Sequence, residues 1–287
     1  LRTSAELAAV VDDLEPIDID TPAFADLYDE LPLWSAPFGL WLLDRCPLGP
    51  GLTFLDLGAG TGFATLELAE RCGAASTVIA VDPWEAAMAR LRRKVAQRRL
   101  SNVRLLQQDA STLDLPARSV DVIVSNLGVN NFADPAAVMR VCARVARPGA
   151  TFVLTTNLVG HMAEFYEIYQ RVLVETGQGD RLAALERHVQ HRATLDGVRR
   201  LLEGAGFATV EVAEFDVSLR FADGSALLRH HFIRMGFLPG WAQVVPADRV
   251  PATFAALERA LNAEAARRGE LRLTIPAAGF VARRSAG

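Results

Sequence analysis

Short apolar runs alternate with amphipathic segments through the middle of the chain. The apolar runs predict strands over residues 53–57, 77–81, 102–106, 120–125 and 151–155. Between them, apolar residues recur at helical spacing over 62–71, 83–99 and 135–146. Strands that alternate with helices are typical of βαβ units and a parallel sheet. Because such crossovers are right-handed, the pattern predicts a doubly wound, Rossmann-like α/β sandwich.

The flanking segments are mostly helical by the same criterion. Before the sheet, a capped helix is predicted from Ser4 to Val11, with further helices over 22–28 and 38–46. After the sheet, helices are predicted over 161–176, 181–190, 195–203, 225–235 and 251–267. The alternation over 207–221 predicts one long strand or two, and 271–284 returns to β-like composition.

Composition narrows the class of protein. The 287 residues are 51% hydrophobic and 22% charged, which is ordinary for a chain that buries a core. The formal net charge of −4 argues against nucleic acid as the main partner, because phosphate-binding surfaces usually carry a basic surplus. Of the 30 basic residues Lys94 is the only lysine, and we attribute this bias to genome composition.

The placement of the chain in the cell follows from what its segments lack. No apolar run reaches the length of about 18 residues that predicts a membrane span, and the acidic N-terminal residues do not fit a secretory signal. Cys46, Cys72 and Cys142 show no metal-binding spacing and fit a reducing compartment. We therefore expect a cytoplasmic protein without a bound metal.

A glycine-rich loop follows the first predicted strand, in the segment Leu55-Asp56-Leu57-Gly58-Ala59-Gly60-Thr61-Gly62. Glycines there let the backbone turn tightly and approach a ligand at a helix N-terminus. A dinucleotide-binding GxGxxG would need glycine in place of Phe63, and a Walker loop would need Gly-Lys-Ser/Thr. The pattern is instead Asp-x-Gly-x-Gly-x-Gly.

A second acid ends the second predicted strand. Asp82 follows Gly62 by 20 residues, where a carboxylate can accept both hydroxyls of a ribose. Two further motifs, Gln108-Asp109-Ala110 and Arg147-Pro148-Gly149-Ala150, come at matching places after the third strand and before the fifth. Over residues 50–157 this set resembles the class I S-adenosylmethionine-dependent methyltransferases.

The resemblance implies a cofactor, S-adenosylmethionine, and a set of residues that bind it. It implies that Asp82 binds the ribose, that Pro83 and Trp84 lie against adenine, and that Asp109 and Ala110 lie near the adenine amino group. The other cofactor-binding residues that it implies are Asp56, Gly58, Ala59, Gly60, Gly62, Asn126 and Leu127.

Aromatic residues before the sheet suit a lid. In many such methyltransferases an N-terminal helical segment closes over the cofactor, and Tyr28 and Trp34 suit that role because a sulfonium cation is a reasonable aromatic neighbour. The alternative is a hydrophobic helix pair that covers an edge of the sheet.

Two residues are candidates for the acceptor side. The segment Asn126–Asp134 resembles one in ubiquinone and menaquinone C-methyltransferases, with Val129 or Asn130 at that family's arginine. Asn130 is a candidate acceptor-site residue, or else makes turn hydrogen bonds. His161, after the fifth strand, is the candidate general base, or else an exposed residue at a helix N-terminus.

The C-terminal layout is similar to that of carboxyl O-methyltransferases of the malonyl-carrier-protein type. A helix ending in Gly-Ala-Gly-Phe is followed by a strand, by helices over about 223–268, and by a last strand. The similarity implies that these helices are inserted between the last two strands.

These observations predict one methyltransferase domain over 1–287 with strand order 3-2-1-4-5-7-6 and an antiparallel seventh strand. Its segments are a helical lid at 1–48, a cofactor-binding core at 50–157 and acceptor-side elements at 158–287. The expected function is methyl transfer to a small molecule, apolar or amphipathic, whose methylated atom the sequence does not reveal. Two alternatives stay open: a non-catalytic cofactor-binding module and a nicotinamide-dependent oxidoreductase.

Overall fold

The computed structural model describes residues 18–30, 33–190 and 192–285. The helix predicted from Ser4 to Val11 lies outside these residues. The strands are β1 (Thr53–Leu57), β2 (Thr77–Val81), β3 (Val103–Leu106), β4 (Val120–Asn126), β5 (Ala146–Asn157), β6 (Phe207–Phe221) and β7 (Leu271–Arg284). They form one seven-stranded sheet in the order β3-β2-β1-β4-β5-β7-β6, which confirms the predicted fold class.

The pairing of the strands determines at which edge of the sheet their carboxyl ends lie. β1 is parallel to β2 and β4, β2 to β3, and β4 to β5. β7 is antiparallel to β5, with Thr151 opposite Arg283 and Asn157 opposite Ala277, as predicted. Because β1 to β5 are parallel, their carboxyl ends meet at one edge of the sheet, where ligands of open α/β sheets bind.

Helices make up most of the remaining described chain. Those of the first half are α1 (Pro22–Asp29), α2 (Ala36–Arg45), α3 (Phe63–Cys72), α4 (Glu85–Gln97) and α5 (Pro135–Val145). Those of the second half are α6 (Ala163–Glu175), α7 (Leu182–Val189), α8 (Leu195–Gly204), α9 (Gly224–Arg229), α10 (His231–Gly236), α11 (Leu238–Ala242) and α12 (Val250–Arg268).

Two elements differ from prediction. β5 begins at Ala146, not at residue 151, because Ala146 still pairs with Val120; the predicted Arg147–Ala150 turn is an irregularity within the strand. The helix predicted over 225–235 is two helices, since His230 is extended (ψ 129°) and ends α9. The alternating segment 207–221, predicted as one long strand or two, is one strand.

The sheet has an apolar core on each face. Along β1, Phe54 packs with Val78, Val122 and Val153 on one face, whereas Leu55 belongs to the other core. Burial on both faces explains why these strands read as continuous apolar runs.

The described chain forms two compact units. Of the described residues, those within 19–158, 193–215 and 277–285 belong to the sheet unit, and those within 159–192 and 216–276 belong to the helical unit. The division of the chain into a single domain with three segments stays a prediction. No helix among the described residues is long and apolar enough to cross a membrane.

Candidate active site

The glycine-rich loop continues the pairing of β1 before it turns into α3. The N–H groups of Gly58 and Ala59 both donate to the carbonyl of Val81, at 2.9 and 3.1 Å. The Gly62 N–H then donates to the Ala59 carbonyl at 2.8 Å, which closes the turn. The loop therefore leaves the sheet beside the end of β2.

Glycine is required at position 62 for two reasons. Its φ is +94°, and a Cβ there would lie 2.1 Å from Cδ1 of the buried Leu91. Position 60 differs, because a Cβ on Gly60 would meet nothing within 4 Å. The loop is thus packed against α4 at its end and open at its middle.

Asp82 joins the loop to the residues after β2. Its Oδ2 accepts the N–H of Gly60 and its Oδ1 accepts the N–H of Trp84, each at 2.8 Å. Burial raises the pKa of this carboxyl, and the two N–H donors counter part of that rise. Each oxygen keeps a second lone pair, so the carboxylate can still accept hydroxyl groups.

Tyr28 on α1 lies over the same place. Its ring centroid is 5.3 Å from that of Trp84, in an edge-on arrangement, and the Trp84 indole N–H donates to the Ile19 carbonyl. Burial, and then the negative charge of Asp82, raise the pKa of the Tyr28 hydroxyl. The structure therefore brings the predicted residues Tyr28, Gly60, Asp82 and Trp84 together; Pro83, between Asp82 and Trp84, is exposed.

Asp56 lies beneath the loop. It is 1% exposed, and its Oδ2 accepts the Thr65 hydroxyl of α3 at 2.6 Å. Burial raises its pKa to about 6, despite that hydrogen bond. The contact positions α3, and a direct role in binding the cofactor stays a prediction.

Asp109 caps the short 3-10 helix Ala110–Thr112 after β3. Its Oδ1 accepts the Ser111 N–H at 2.7 Å, and hydrogen bonding with Ser111 lowers its pKa. Asp109 is exposed and Ala110 is buried. Their predicted place near adenine stays a prediction.

The end of β4 is a tight crossing. Asn126 accepts the Thr155 hydroxyl at 2.7 Å and donates to the Ser35 carbonyl at 3.2 Å, while Leu127 has a positive φ of 65°. A Cβ on Gly128 would lie 2.5 Å from the Ser125 hydroxyl, so only glycine fits there. Sequence reasoning missed Gly128, although its place after a strand end is the signal that could have found it.

The side-chain amide of Asn130 forms hydrogen bonds with other residues of the protein. Its Nδ2 donates to the Asn157 carbonyl and side-chain oxygen, at 3.0 and 2.8 Å, and its Oδ1 accepts the Ala193 N–H at 2.9 Å. These bonds fit the turn-forming alternative, and a catalytic role stays a prediction.

His161 belongs to the helical unit. Its ring is fully buried, 5.6 Å from Tyr166 and 6.3 Å from Phe237 between ring centroids. It precedes α6 and is not an exposed helix residue, so that alternative is wrong. Its role as a base stays a prediction.

Ion pairs that sequence reasoning missed fasten α1 to α4. Asp29 accepts Lys94 Nζ at 2.5 Å and Arg90 Nε at 2.9 Å. Asp26 accepts Arg93 Nη2 at 2.5 Å. α1 carries acids at positions 26 and 29, and α4 carries bases at positions 90, 93 and 94. This pattern predicts ion pairs only once the two helices are known to be neighbours.

A cavity of about 480 Å³ opens beside the loop in the sheet unit. Residues that line it include Tyr28, Asp29, Trp34, Thr61, Phe63 and Lys94. Gly60, Asp82 and Trp84 are not among its lining residues, so the cavity does not test the predicted lid, which stays a prediction.

The residues present fit S-adenosylmethionine. Gly60 faces open space, the half-buried carboxylate of Asp82 has acceptor capacity for a ribose, and the partly exposed Trp84 offers an aromatic surface for adenine. Of the described residues, no three potential histidine, cysteine or acidic ligands are grouped for a metal.

Comparison with known proteins identifies the family. Residues 55–154 match the family described as "Methyltransferase domain". Nocamycin O-methyltransferase of Saccharothrix syringae is 30% identical over 264 residues, which span 88% of this chain and 93% of that protein. A ubiquinone/menaquinone C-methyltransferase of Shewanella oneidensis is 29% identical, over 56% of this chain and 68% of that protein.

Other matches cover less or are more distant. An arsenite methyltransferase of Halobacterium salinarum is 31% identical over 61% of this chain, and the match spans only 42% of that protein's length. Among solved structures, the YcgJ protein of Bacillus subtilis superposes with a TM-score of 0.57 at 18% identity, over 88% of this chain and 99% of that chain. At that identity the likeness shows the fold.

Fold, loop and relatives define one class of enzyme. The chain belongs to the class I S-adenosylmethionine-dependent methyltransferases, and its cofactor is S-adenosylmethionine. The predicted family and cofactor are confirmed, and the nicotinamide and non-catalytic alternatives are not favoured.

Proposed function

We propose that the protein methylates an oxygen atom of a small organic molecule, by in-line displacement at the sulfonium methyl. The observation that supports this most directly is the alignment with nocamycin O-methyltransferase, which spans 88% of the chain and so includes residues of both compact units. The C-methyltransferase alignment spans 56%.

An apolar or amphipathic acceptor is part of the proposal. Five aromatic side chains are buried in the helical unit: Phe165, Tyr166, Tyr169, Phe237 and Trp241. Small-molecule sites are lined mainly by apolar and aromatic groups with few polar ones, which this composition suits.

Arsenite is a poor candidate acceptor. It is a soft, thiol-seeking species, so its capture calls for accessible thiolates. Burial raises the pKa of both Cys46 and Cys142 to about 12, and only Cys72 of the three cysteines is partly exposed.

The chain's own residues hold the cofactor and orient it. Asp82 accepts ribose hydroxyls. The open space at Gly60 lets the cofactor approach the backbone of the loop. The aromatic pair Tyr28 and Trp84 limits the access of water. When bound, S-adenosylmethionine supplies a methyl group already activated on a sulfonium. The remaining requirement concerns the acceptor's proton.

The need for a base depends on the acceptor. A carboxylate is already ionised at neutral pH, whereas a phenol has a proton to lose. His161 is proposed as that base and Asn130 as an acceptor-side residue. His161→Gln should then lower kcat for phenols by about 100-fold and leave carboxylic acids within threefold. Equal losses for both acceptors would contradict the base assignment.

Transfer of labelled methyl groups tests the proposal. The enzyme is incubated with labelled S-adenosylmethionine and a panel of aromatic carboxylic acids, phenols and hydroquinones. We expect label in an ester, released by mild alkali, or in an alkali-stable ether. Label on ring carbon would contradict the oxygen assignment, and label only in added protein or RNA would contradict a small-molecule acceptor.

A further inference from the structure

The single lysine of the chain lies between the lid helix and the glycine-rich loop. Lys94 Nζ donates to Asp29 Oδ1 at 2.5 Å and to the Thr61 carbonyl at 2.8 Å. Its side chain is 16% exposed and that of Asp29 is 13% exposed. One ammonium group therefore joins α1, α4 and the loop.

Asp29 is held as an anion at this junction. Burial alone would raise the pKa of its carboxyl, but hydrogen bonds from Lys94, Arg90 and Thr61 bring it below the usual range. A partly buried, charge-assisted bond is stronger than an exposed ion pair, since water screens it less.

The loop is held from two sides. Asp82 accepts the Gly60 N–H on one side, and Lys94 donates to the carbonyl of the next residue, Thr61, on the other. Leu91 lies three residues before Lys94, on the same face of α4, and packs against Gly62. The position of Gly60 thus depends on α4 as well as on β2.

We propose that Lys94 is a positioning residue that couples the docking of α1 to the cofactor-binding shape of the glycine-rich loop. If docked α1 favours cofactor binding, then bound cofactor must favour docked α1 by the same factor. The inference concerns the cofactor half of the reaction and does not depend on which acceptor is methylated.

The same two helices offer a matched control. Arg93 is next to Lys94 in sequence and pairs with Asp26 at 2.5 Å, which joins α4 to α1 without involving the loop. Arg93→Met therefore removes one helix-to-helix ion pair, whereas Lys94→Met removes an ion pair and the bond to Thr61.

Calorimetric titration of the purified protein with S-adenosylhomocysteine tests the proposal. Lys94→Met should weaken binding about tenfold, Arg93→Met by less than about twofold, and Lys94→Arg should recover most of the loss. Equal losses in Lys94→Met and Arg93→Met would overturn the proposal, because helix docking alone would then explain both. Binding within twofold of wild type in Lys94→Met would also overturn it.

A second variant, Asp29→Asn, tests the same coupling through the partner of Lys94, alone and in a double-mutant cycle. Asp29→Asn keeps the Lys94–Thr61 bond and should weaken binding about threefold, and Asp29→Asn with Lys94→Met should be no weaker than Lys94→Met alone. Multiplying losses would mean that the two residues act separately and would overturn the coupling.

Hydrogen exchange supplies a readout that a merely structural role would not move. In wild type and in Arg93→Met, S-adenosylhomocysteine should slow amide exchange in α1. In Lys94→Met, saturating ligand should leave α1 exchange unchanged. Equal slowing in all three would contradict the proposed coupling, whatever the acceptor screen finds.

Discussion

The sheet unit and the helical unit are stabilised by different chemistry. In the sheet unit, charged groups such as Asp82, Asp29 and Lys94 bond to backbone atoms or to one another. In the helical unit, Trp241 stacks on Phe165 at 3.9 Å, donates to Tyr166 at 3.1 Å and accepts from Tyr169 at 3.0 Å. Glycines and acids at fixed spacing form a sequence motif, whereas buried aromatic residues that pack together have no fixed spacing along the chain. The half of the enzyme that holds the shared cofactor is therefore easier to recognise.

The largest expected effect breaks the aromatic core of the helical unit. Trp241→Ala should lower the free energy of unfolding by about 3–5 kcal/mol, since loss of a fully buried indole leaves a cavity and removes the hydrogen bond to the Tyr166 hydroxyl, whereas Tyr169 keeps its bond to the backbone carbonyl of residue 241. Chemical denaturation measures this. Val174→Ala, at an exposed site on α6, is the control and should cost below about 0.5 kcal/mol. A loss below about 1 kcal/mol for Trp241→Ala would show that the cluster is not the core of its unit.

The next largest effect removes the acid of the sheet unit. Asp82→Ala should weaken S-adenosylhomocysteine binding by about 100-fold or more, because it removes the ribose acceptor and the partner of the Gly60 N–H. Calorimetric titration measures this affinity. Asp82→Asn should bind with an affinity between those of wild type and Asp82→Ala, and the control Asp114→Ala, at an exposed position, should bind as wild type does. Binding that survives within about twofold would make the ribose assignment wrong.

A pH-dependent effect of intermediate size concerns Asp56. Its pKa is about 6 in the folded protein against 3.8 unfolded, so the folded state holds the proton more tightly. The contribution of Asp56 to the free energy of unfolding should therefore fall as the pH rises from about 4 to 6, by up to about 3 kcal/mol, whereas carboxyls with lowered pKa, such as Asp29, give the opposite slope. Asp56→Asn should flatten that slope, because its amide oxygen still accepts the Thr65 hydroxyl without titrating. An unchanged slope in Asp56→Asn would refute the assignment.

The smallest effect separates the role of the Tyr28 ring on α1 from that of its hydroxyl. Tyr28→Phe keeps the edge-on contact with Trp84 and should change S-adenosylhomocysteine affinity by less than about threefold, whereas Tyr28→Ala should weaken it about tenfold. Titration of both variants measures this. A Phe variant as weak as the Ala variant would assign the role to the hydroxyl beside Asp82.

Much of the sheet unit could be predicted because its signals are local. Burial on both faces makes β1 and β2 short, mostly apolar runs, and the loop glycines and Asp82 stand at fixed distances along the chain. The pairing of Ala146 with Val120 could not be predicted, since Arg147-Pro148-Gly149 reads locally as a turn. Whether the residue before such a turn already belongs to the strand depends on its pairing with the neighbouring strand.

The missed parts of the candidate site are contacts between distant residues. Asp29 and Lys94 are 65 positions apart, and neither belongs to a motif. The burial of His161 likewise depends on Phe237, far along the chain. The two alternatives for Asn130 differed only in where its amide points, which a single sequence does not record.

One lysine among so many arginines has a practical consequence for spectroscopy. A sample labelled with ¹⁵N only at lysine contains one side-chain ammonium resonance from these 287 residues, and it reports from the junction of α1 with the loop. Proton exchange at that ammonium, slow when the group is sheltered and fast when it is open to water, would record the movement of the helix as a single spectral line.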